Sequence, residues 1–306
     1  MRFRGAIAAG LLALSGCASG PAANAPEPEP YAVRSEVYRF RIGDMEAMAL
    51  REGAKHLPND GKIFGVGQAP STIGAALTQA GLAADGIDIS FQPLLVRDGD
   101  RLVLIDAGSG PTMGPLVGQM AGSLKLADVA PADITDIIIS HSHPDHAAGL
   151  ADAQGRSAFP NAVIRMSSAE WAFMQANPAL ATVVRAITSQ IVTYEAGATL
   201  APGISAVPLA GHTPGHVGVR IESAGEALLY IGDVLHHPVI SVSHPDWPMV
   251  FDDDPAAATV NRRMLMESAA RDHTRLYAGH FPYPGLGRIE KRGEAYVWVA
   301  ETPDQR

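Results

Sequence analysis

The sequence predicts an α/β fold with β-sheets at the centre and helices outside them. Three observations carry this. The chain has 306 residues, 47% hydrophobic and 18% charged, enough for one large core. Short apolar runs of strand character recur along it, bounded by Gly, Pro and Asp. Residues 255–271 form an amphipathic helix, with Val260, Met264 and Leu265 expected on one side.

The N-terminus reads as a targeting segment. Arg2 and Arg4 precede a short apolar stretch, residues 7–14, too short to span a bilayer. Leu14-Ser15-Gly16-Cys17 resembles a bacterial lipobox, with residues 1–16 removed and lipid attached at Cys17, the only cysteine. Residues 17–35 then read as a Pro- and Glu-rich linker, and 36–306 as the globular domain. The expectation is an exported, periplasmic or cell-envelope lipoprotein held at a membrane surface. A net charge of −9 argues against a nucleic-acid partner. It leaves a small-molecule substrate open, and a dimer is compatible with it.

Taken in order, residues 37–42 and 45–50 predict two strands around a Gly43-Asp44 turn. Residues 51–87 are punctuated by Gly and Pro and read as irregular, with a short helix at 73–80 and a candidate lid at 57–65. Strands follow at 92–96 and 102–105, then a helix at 113–126 and a buried strand at 134–139. A strand at 162–166 leads into helices at 168–176 and 179–190 and an extended stretch at 191–195. Further strands are expected at 204–208, 217–221, 227–231 and 275–278, and a closing hairpin at 288–291 and 295–299.

Four candidate ligands fall within His141-Ser142-His143-Pro144-Asp145-His146, at the end of the 134–139 strand. Imidazoles and carboxylates suit zinc and related first-row metals. Spacing i, i+2 puts two imidazoles on one side of an extended segment. Three further apolar strands end in metal-competent residues: Asp106, Asp233 and His280. Gly211-His212-Thr213-Pro214-Gly215-His216 joins two strands, and its turn aims one or both histidines, with His216 the better held. Ligands from separate strand ends can converge on one shared edge of the core.

The order HxHxDH, GHTPGH, strand-Gly-Asp, strand-Gly-His resembles the metallo-β-lactamase superfamily, over residues 36 to about 300. The resemblance implies a single-domain, four-layer αββα sandwich with a two-metal site at one sheet edge. It implies that His141, His143 and His216 bind one metal, that Asp145, His146 and His280 bind the other, and that Asp233 bridges them. Asp106 would hold the site by hydrogen bonds. The remaining histidines, His212 among them, fall outside this ligand set. Two divalent ions are implied, zinc foremost, with Mn, Co or Fe as alternatives. They would hold a bridging hydroxide at neutral pH, with Asp145 and Asp233 catalytic and Asp145 placed to accept its proton.

The bridging Asp233 is similar to the pattern of lactonases, glyoxalase II-type thioesterases and organophosphate hydrolases. Residues 38–46, 232–238 and 279–287 resemble the branch of methyl-parathion hydrolase and N-acyl-homoserine lactonases. That implies a hydrolase of lactones or related esters, with phosphotriesters next. A β-lactamase or thioesterase, and a periplasmic metal-binding module, are the alternatives. Some lactonases carry a Tyr shortly after the bridging Asp. Here Val234-Leu235-His236-His237 supplies none, which leaves His236 or His237 either to donate to the substrate instead or to serve in packing. Phe281 is the foremost candidate for an apolar pocket wall, with Trp171, Phe173, Trp247, Met249, Phe251 and Tyr283 as others.

Overall fold

The computed structural model describes residues 35–114, 116–195 and 197–301. The expected signal segment, Cys17 and almost all of the linker lie outside the described residues. The strands in chain order are β1 (Glu36–Ile42), β2 (Met45–Arg51), β3 (Gly53–Pro58), β4 (Gly86–Phe91), β5 (Leu94–Asp98), β6 (Arg101–Ile105), β7 (Asp136–Ile138), β8 (Val163–Ser167) and β9 (Ile191–Tyr194). They continue with β10 (Thr199–Ala201), β11 (Ile204–Pro208), β12 (Val217–Ser223), β13 (Glu226–Tyr230), β14 (Arg275–Tyr277), β15 (Leu286–Arg292) and β16 (Ala295–Ala300). The α-helices are α1 (Pro70–Gln79), α2 (Met120–Leu126), α3 (Pro144–Ala147), α4 (Ser168–Ala176), α5 (Ala181–Ile187), α6 (Ile240–Ser243) and α7 (Pro255–Asp272).

Two seven-stranded sheets, ordered β1-β2-β5-β6-β7-β8-β9 and β10-β11-β12-β13-β14-β15-β16, form the centre. Strand alternation explains why they pack face to face. Ala47 and Ala49 of β2 join Val103, Val219, Leu228 and Tyr230 in a core between the sheets. Their neighbours Met48 and Leu50 face the other way, into a core completed by α2, α4 and α5. On the far side, Leu229, Leu276 and Ile289 pack against Leu265, Met266 and Ala269 of α7. The layers are therefore helix, sheet, sheet, helix, the αββα sandwich that the resemblance implied.

The topology also creates the site. β6 and β7 run parallel, with Ile105 beside Ile138. β13 and β14 run parallel in the other sheet, with Tyr230 beside Tyr277. The carboxyl ends of all four strands open at one edge of the sandwich, where ligands are expected in such sheets.

Several expected elements change. The 113–126 helix shrinks to α2, because Gly114 and Gly118 take positive φ of 86° and 87° and break it. The 51–87 segment is less irregular than expected: β3 and β4 pair antiparallel across it, from Gly53↔Phe91 to Pro58↔Gly86. In α7 the buried face is Ala258, Arg262, Leu265, Met266 and Ala269, while Val260 and Met264 are exposed.

Candidate metal centre

Asp106 ends β6 in the left-handed region, φ 61°, which turns its carboxylate back across the strand ends. Its Oδ1 accepts from Ser140 N–H at 2.7 Å. Its Oδ2 faces Ser140 Oγ at 2.7 Å, His146 Nδ1 at 2.7 Å and Tyr230 OH at 2.6 Å, each a donor. The carboxylate thus ties together three strand ends, β6, β7 and β13, as the resemblance implied for it.

After β7 the chain stays extended through His143, and Pro144 at the first position of α3 then bends it into a helical turn. That bend separates His141 and His143 from Asp145 and His146. Gly232 has φ 50°, and a Cβ there would lie 2.4 Å from His216 Nε2, so only glycine lets Asp233 approach. Asp233 is buried, and its Oδ2 lies 3.1 Å from His280 Nε2, 3.1 Å from His236 Nε2, 3.5 Å from His212 Nε2 and 3.6 Å from His141 Nε2. Its Oδ1 is 3.2 Å from His146 Nε2. Asp145 Oδ2 is 3.4 Å from His280 Nε2 and 3.6 Å from His146 Nε2.

His216 is a correction. It was expected in the ligand set, but both ring nitrogens are engaged by backbone. Nδ1 donates to Leu209 O at 3.0 Å, and Nε2 accepts from Asp233 N–H at 2.9 Å. It has no lone pair left for a metal, and it positions Asp233 instead. His212, left outside the expected set, stands in its place: its Nε2 lies 2.8 Å from His143 Nδ1. The donor atoms of His141, His143 and His212 fall in one group, and those of Asp145, His146 and His280 in another. Further groups join Asp233 to His141 and His146, and to His212 and His236.

The outer nitrogens fix the inner ones. His146 Nδ1 donates to Asp106, His280 Nδ1 to Ser90 O at 2.9 Å, and His212 Nδ1 to Asp252 Oδ1 at 2.9 Å. His141 Nδ1 meets Ser140 Oγ at 3.1 Å, whose own hydrogen goes to Asp106. With those tautomers, bare nitrogens face each other at His146 Nε2–His280 Nε2, 3.2 Å apart. Buried His141 Nε2 and Asp233 Oδ1 have no hydrogen-bond partner among the described residues. Orphaned acceptors converging in a buried site are what cations satisfy, and this donor set fits two metal ions.

The electrostatics agree. Burial holds His141 well below the ordinary imidazole range, His212 at about 3 and His216 at about 4, so these rings are neutral. Burial would also lower His146 and His280, but the carboxylates around them, Asp233 foremost, outweigh it and raise both. Burial works against ionised Asp233, yet His146, His280, His141 and His236 keep its carboxyl well below the usual range. The field at this point favours positive charge, which metal ions supply without protonating ligands.

A cavity of about 510 Å³ opens onto the cluster. Leu57, Ile63, Phe91, Met113, Val183, Met249 and Phe251 form much of its wall, and His143, Asp145, His212, Asp233, His236 and His280 its floor. Of the expected pocket residues, His236, Met249 and Phe251 are there. Phe281 is not: it is fully buried, packed edge-on against Trp298 with centroids 4.8 Å apart. Nor is His237, whose Nδ1 accepts from Val239 and Ile240 N–H at 3.2 Å and starts α6. Trp171, Phe173, Trp247 and Tyr283 also lie off the wall. The expected lid does border the cavity through Leu57 and Ile63. It is tied to the opposite loop by Val250 N–H donating to Ile63 O and Val66 N–H to Pro248 O, both at 3.0 Å.

Glu170 supports the site without belonging to any of its sequence motifs. It is buried on α4 and accepts from Ser142 N–H (2.7 Å), Ser142 Oγ (2.6 Å), Thr213 Oγ1 (2.6 Å) and Gly215 N–H (3.1 Å). It clamps the loop of His141 and His143 to the loop of His212.

The family model described as the Metallo-beta-lactamase superfamily matches residues 93–280. The chain is similar to AidC, described as a dizinc quorum-quenching lactonase in complex with the product N-hexanoyl-L-homoserine: 30% identity, TM-score 0.84, over 88% of this chain and 98% of that one. It is also similar to AbOPH, described as a hydrolase in the beta lactamase superfamily, at 26% identity and TM-score 0.80, over 88% and 99% of the two chains. A probable metallo-hydrolase of Mycobacterium tuberculosis is 24% identical over 224 residues, 61% of this chain and 70% of that protein.

Proposed function

The chain belongs to the metallo-beta-lactamase superfamily, and on that premise we propose that it is a dinuclear zinc hydrolase of lactones carrying an apolar acyl substituent. One observation carries the reading: a buried cluster of inward-facing donors with orphaned acceptors forms the floor of a largely apolar cavity. The similarity to a dizinc lactonase supports both the metal and the substrate class.

In this reading His141, His143 and His212 would hold one ion, and Asp145, His146 and His280 the other, with Asp233 available to both. When bound, such a pair lowers the pKa of water from ~15.7 towards about 7 and polarises a carbonyl oxygen. The residues do the rest. Asp233 is held ionised by the histidines around it. Asp145, with 17% of its side chain exposed against 5% for Asp233, is the more accessible carboxylate of the cavity floor and would take up the proton lost by the attacking water. His236 borders the cavity, and its Nε2, 3.1 Å from Asp233 Oδ2, holds that carboxylate in place. Leu57, Ile63, Met249 and Phe251 exclude water from the acyl chain and orient the ring towards the floor.

A turnover panel on metal-replete protein tests the substrate class. N-acyl lactones should give the highest kcat/KM, above β-lactams, thioesters and aryl phosphotriesters. A preference for β-lactams or thioesters would overturn the lactone reading. The membrane anchor is part of the same proposal and rests on residues 14–17: Cys17→Ser should release the protein from membranes, and continued attachment would refute it.

A further inference from the structure

Arg262 is a charged residue with 2% exposure at the centre of the buried face of α7. Its guanidinium donates in three directions: Nε to Val234 O at 3.0 Å, Nη1 to Pro245 O at 2.9 Å, and Nη2 to Asp252 Oδ2 at 3.1 Å. A planar five-donor fork suits that task, and a lysine would not. The other oxygen of Asp252 accepts from His212 Nδ1 at 2.9 Å. The backbone secures the same junction, with Asp253 N–H on His212 O at 3.2 Å and Asp254 N–H on Gly211 O at 2.9 Å. Asp252 directly follows Phe251 of the cavity wall, so one short segment carries both the wall and the partner of a metal donor.

We propose that Asp252, oriented by Arg262, is the positioning residue that fixes the tautomer of His212 and so leaves its Nε2 bare towards His141 and His143. This rests on the reading that the cluster binds two ions. Arg262 can only donate, so one oxygen of Asp252 must face it, and the other then accepts the Nδ1 hydrogen of His212. An asparagine at 252 would turn its carbonyl to Arg262 and its NH2 to His212 Nδ1. His212 would then carry its hydrogen on Nε2, where it blocks the metal.

Cobalt(II) titration of the full chain against a chelator, followed by visible absorption, tests this together with 15N-histidine NMR. Wild type should take two ions. Asp252→Asn should keep one and bind the other ~10–100-fold more weakly, with the His212 hydrogen moved to Nε2. Adding Arg262→Met should relax the asparagine and restore much of that affinity, a rescue that a merely structural role would not give. Arg263→Met, which removes only the exposed pair with Asp246, should change neither. If wild type does not take two ions, the two-metal reading fails first. If wild type takes two and Asp252→Asn binds both as tightly, the inference alone fails. It also fails if the double variant binds no better than Asp252→Asn. If the double variant does not fold, the NMR tautomer in Asp252→Asn decides: Nε2–H supports the inference and Nδ1–H overturns it.

Discussion

His212 Nε2 and His143 Nδ1 face each other across 2.8 Å, although 69 residues separate them in the chain. With His212 Nδ1 committed to Asp252, its Nε2 is bare at that contact, and His141 Nε2 completes the triad with no hydrogen-bond partner among the described residues. His216, in the same Gly-His-Thr-Pro-Gly-His motif, points its nitrogens at backbone.

Substitution separates the two roles. His212→Ala should lose one of two metal ions and more than ~100-fold in kcat/KM. His216→Ala should keep both ions and lose about 1–3 kcal/mol of stability, because Asp233 N–H is left buried without an acceptor. Metal content and urea unfolding of the two variants check this, and loss of an ion only in His216→Ala would reverse the assignment.

Removing the shared carboxylate should be more damaging than removing any one histidine. Asp233 lies within reach of five imidazoles, so Asp233→Ala should abolish measurable turnover and leave fewer than two ions bound. Steady-state kinetics and metal analysis on the folded variant test it.

Glu52 should make the stability of the protein pH-dependent. It is fully buried; its Oε1 accepts from Ser109 N–H and Oγ, and its Oε2 has no hydrogen-bond partner among the described residues. Burial pushes its carboxyl up to about 7, against the smaller opposing effect of the Ser109 bonds. Below its unfolded pKa of 4.5 the group is protonated in both states and costs nothing. Between there and about 7 the unfolded chain releases the proton while the folded chain keeps it, so stability falls as pH rises. The loss is complete above 7 and amounts to about 3 kcal/mol. Glu52→Gln should remove that part of the slope, measured as the difference in unfolding free energy between pH 5 and pH 8 for variant and parent.

The apolar wall predicts a chain-length preference. Each methylene buried against Met249, Phe251 and Ile63 contributes up to about 0.8 kcal/mol, or about fourfold in kcat/KM, until the cavity of about 510 Å³ is filled. Phe251→Ala should flatten the dependence on acyl length and leave the shortest substrate nearly unaffected.

Much of the fold was legible because buried strands are apolar runs that end in polar residues. Asp106, His141, Asp233 and His280 each close such a run, and the parallel pairs β6–β7 and β13–β14 carry them to one edge. The β3–β4 pair was not legible, since its partners lie on either side of α1 and its strands mix Gly, Lys, His and Asp. Nor did spacing distinguish His212 from His216, because the turn between them settles neither orientation. The difference is made by contacts distant in sequence: Leu209 and Asp233 take the nitrogens of His216, and Asp252 takes the outer one of His212. Arg262 was invisible for the opposite reason. A charged residue on a helix reads as solvent-facing, and only three acceptors converging on it reverse that.

Metal analysis coupled to turnover of an N-hexanoyl lactone tests the central claim most directly. The purified full chain should contain two equivalents of divalent metal, zinc foremost, lose hydrolysis when a chelator removes them, and recover it on their return. A chain that hydrolyses the lactone equally well without bound metal, or that carries two ions and turns over no lactone, would contradict the account.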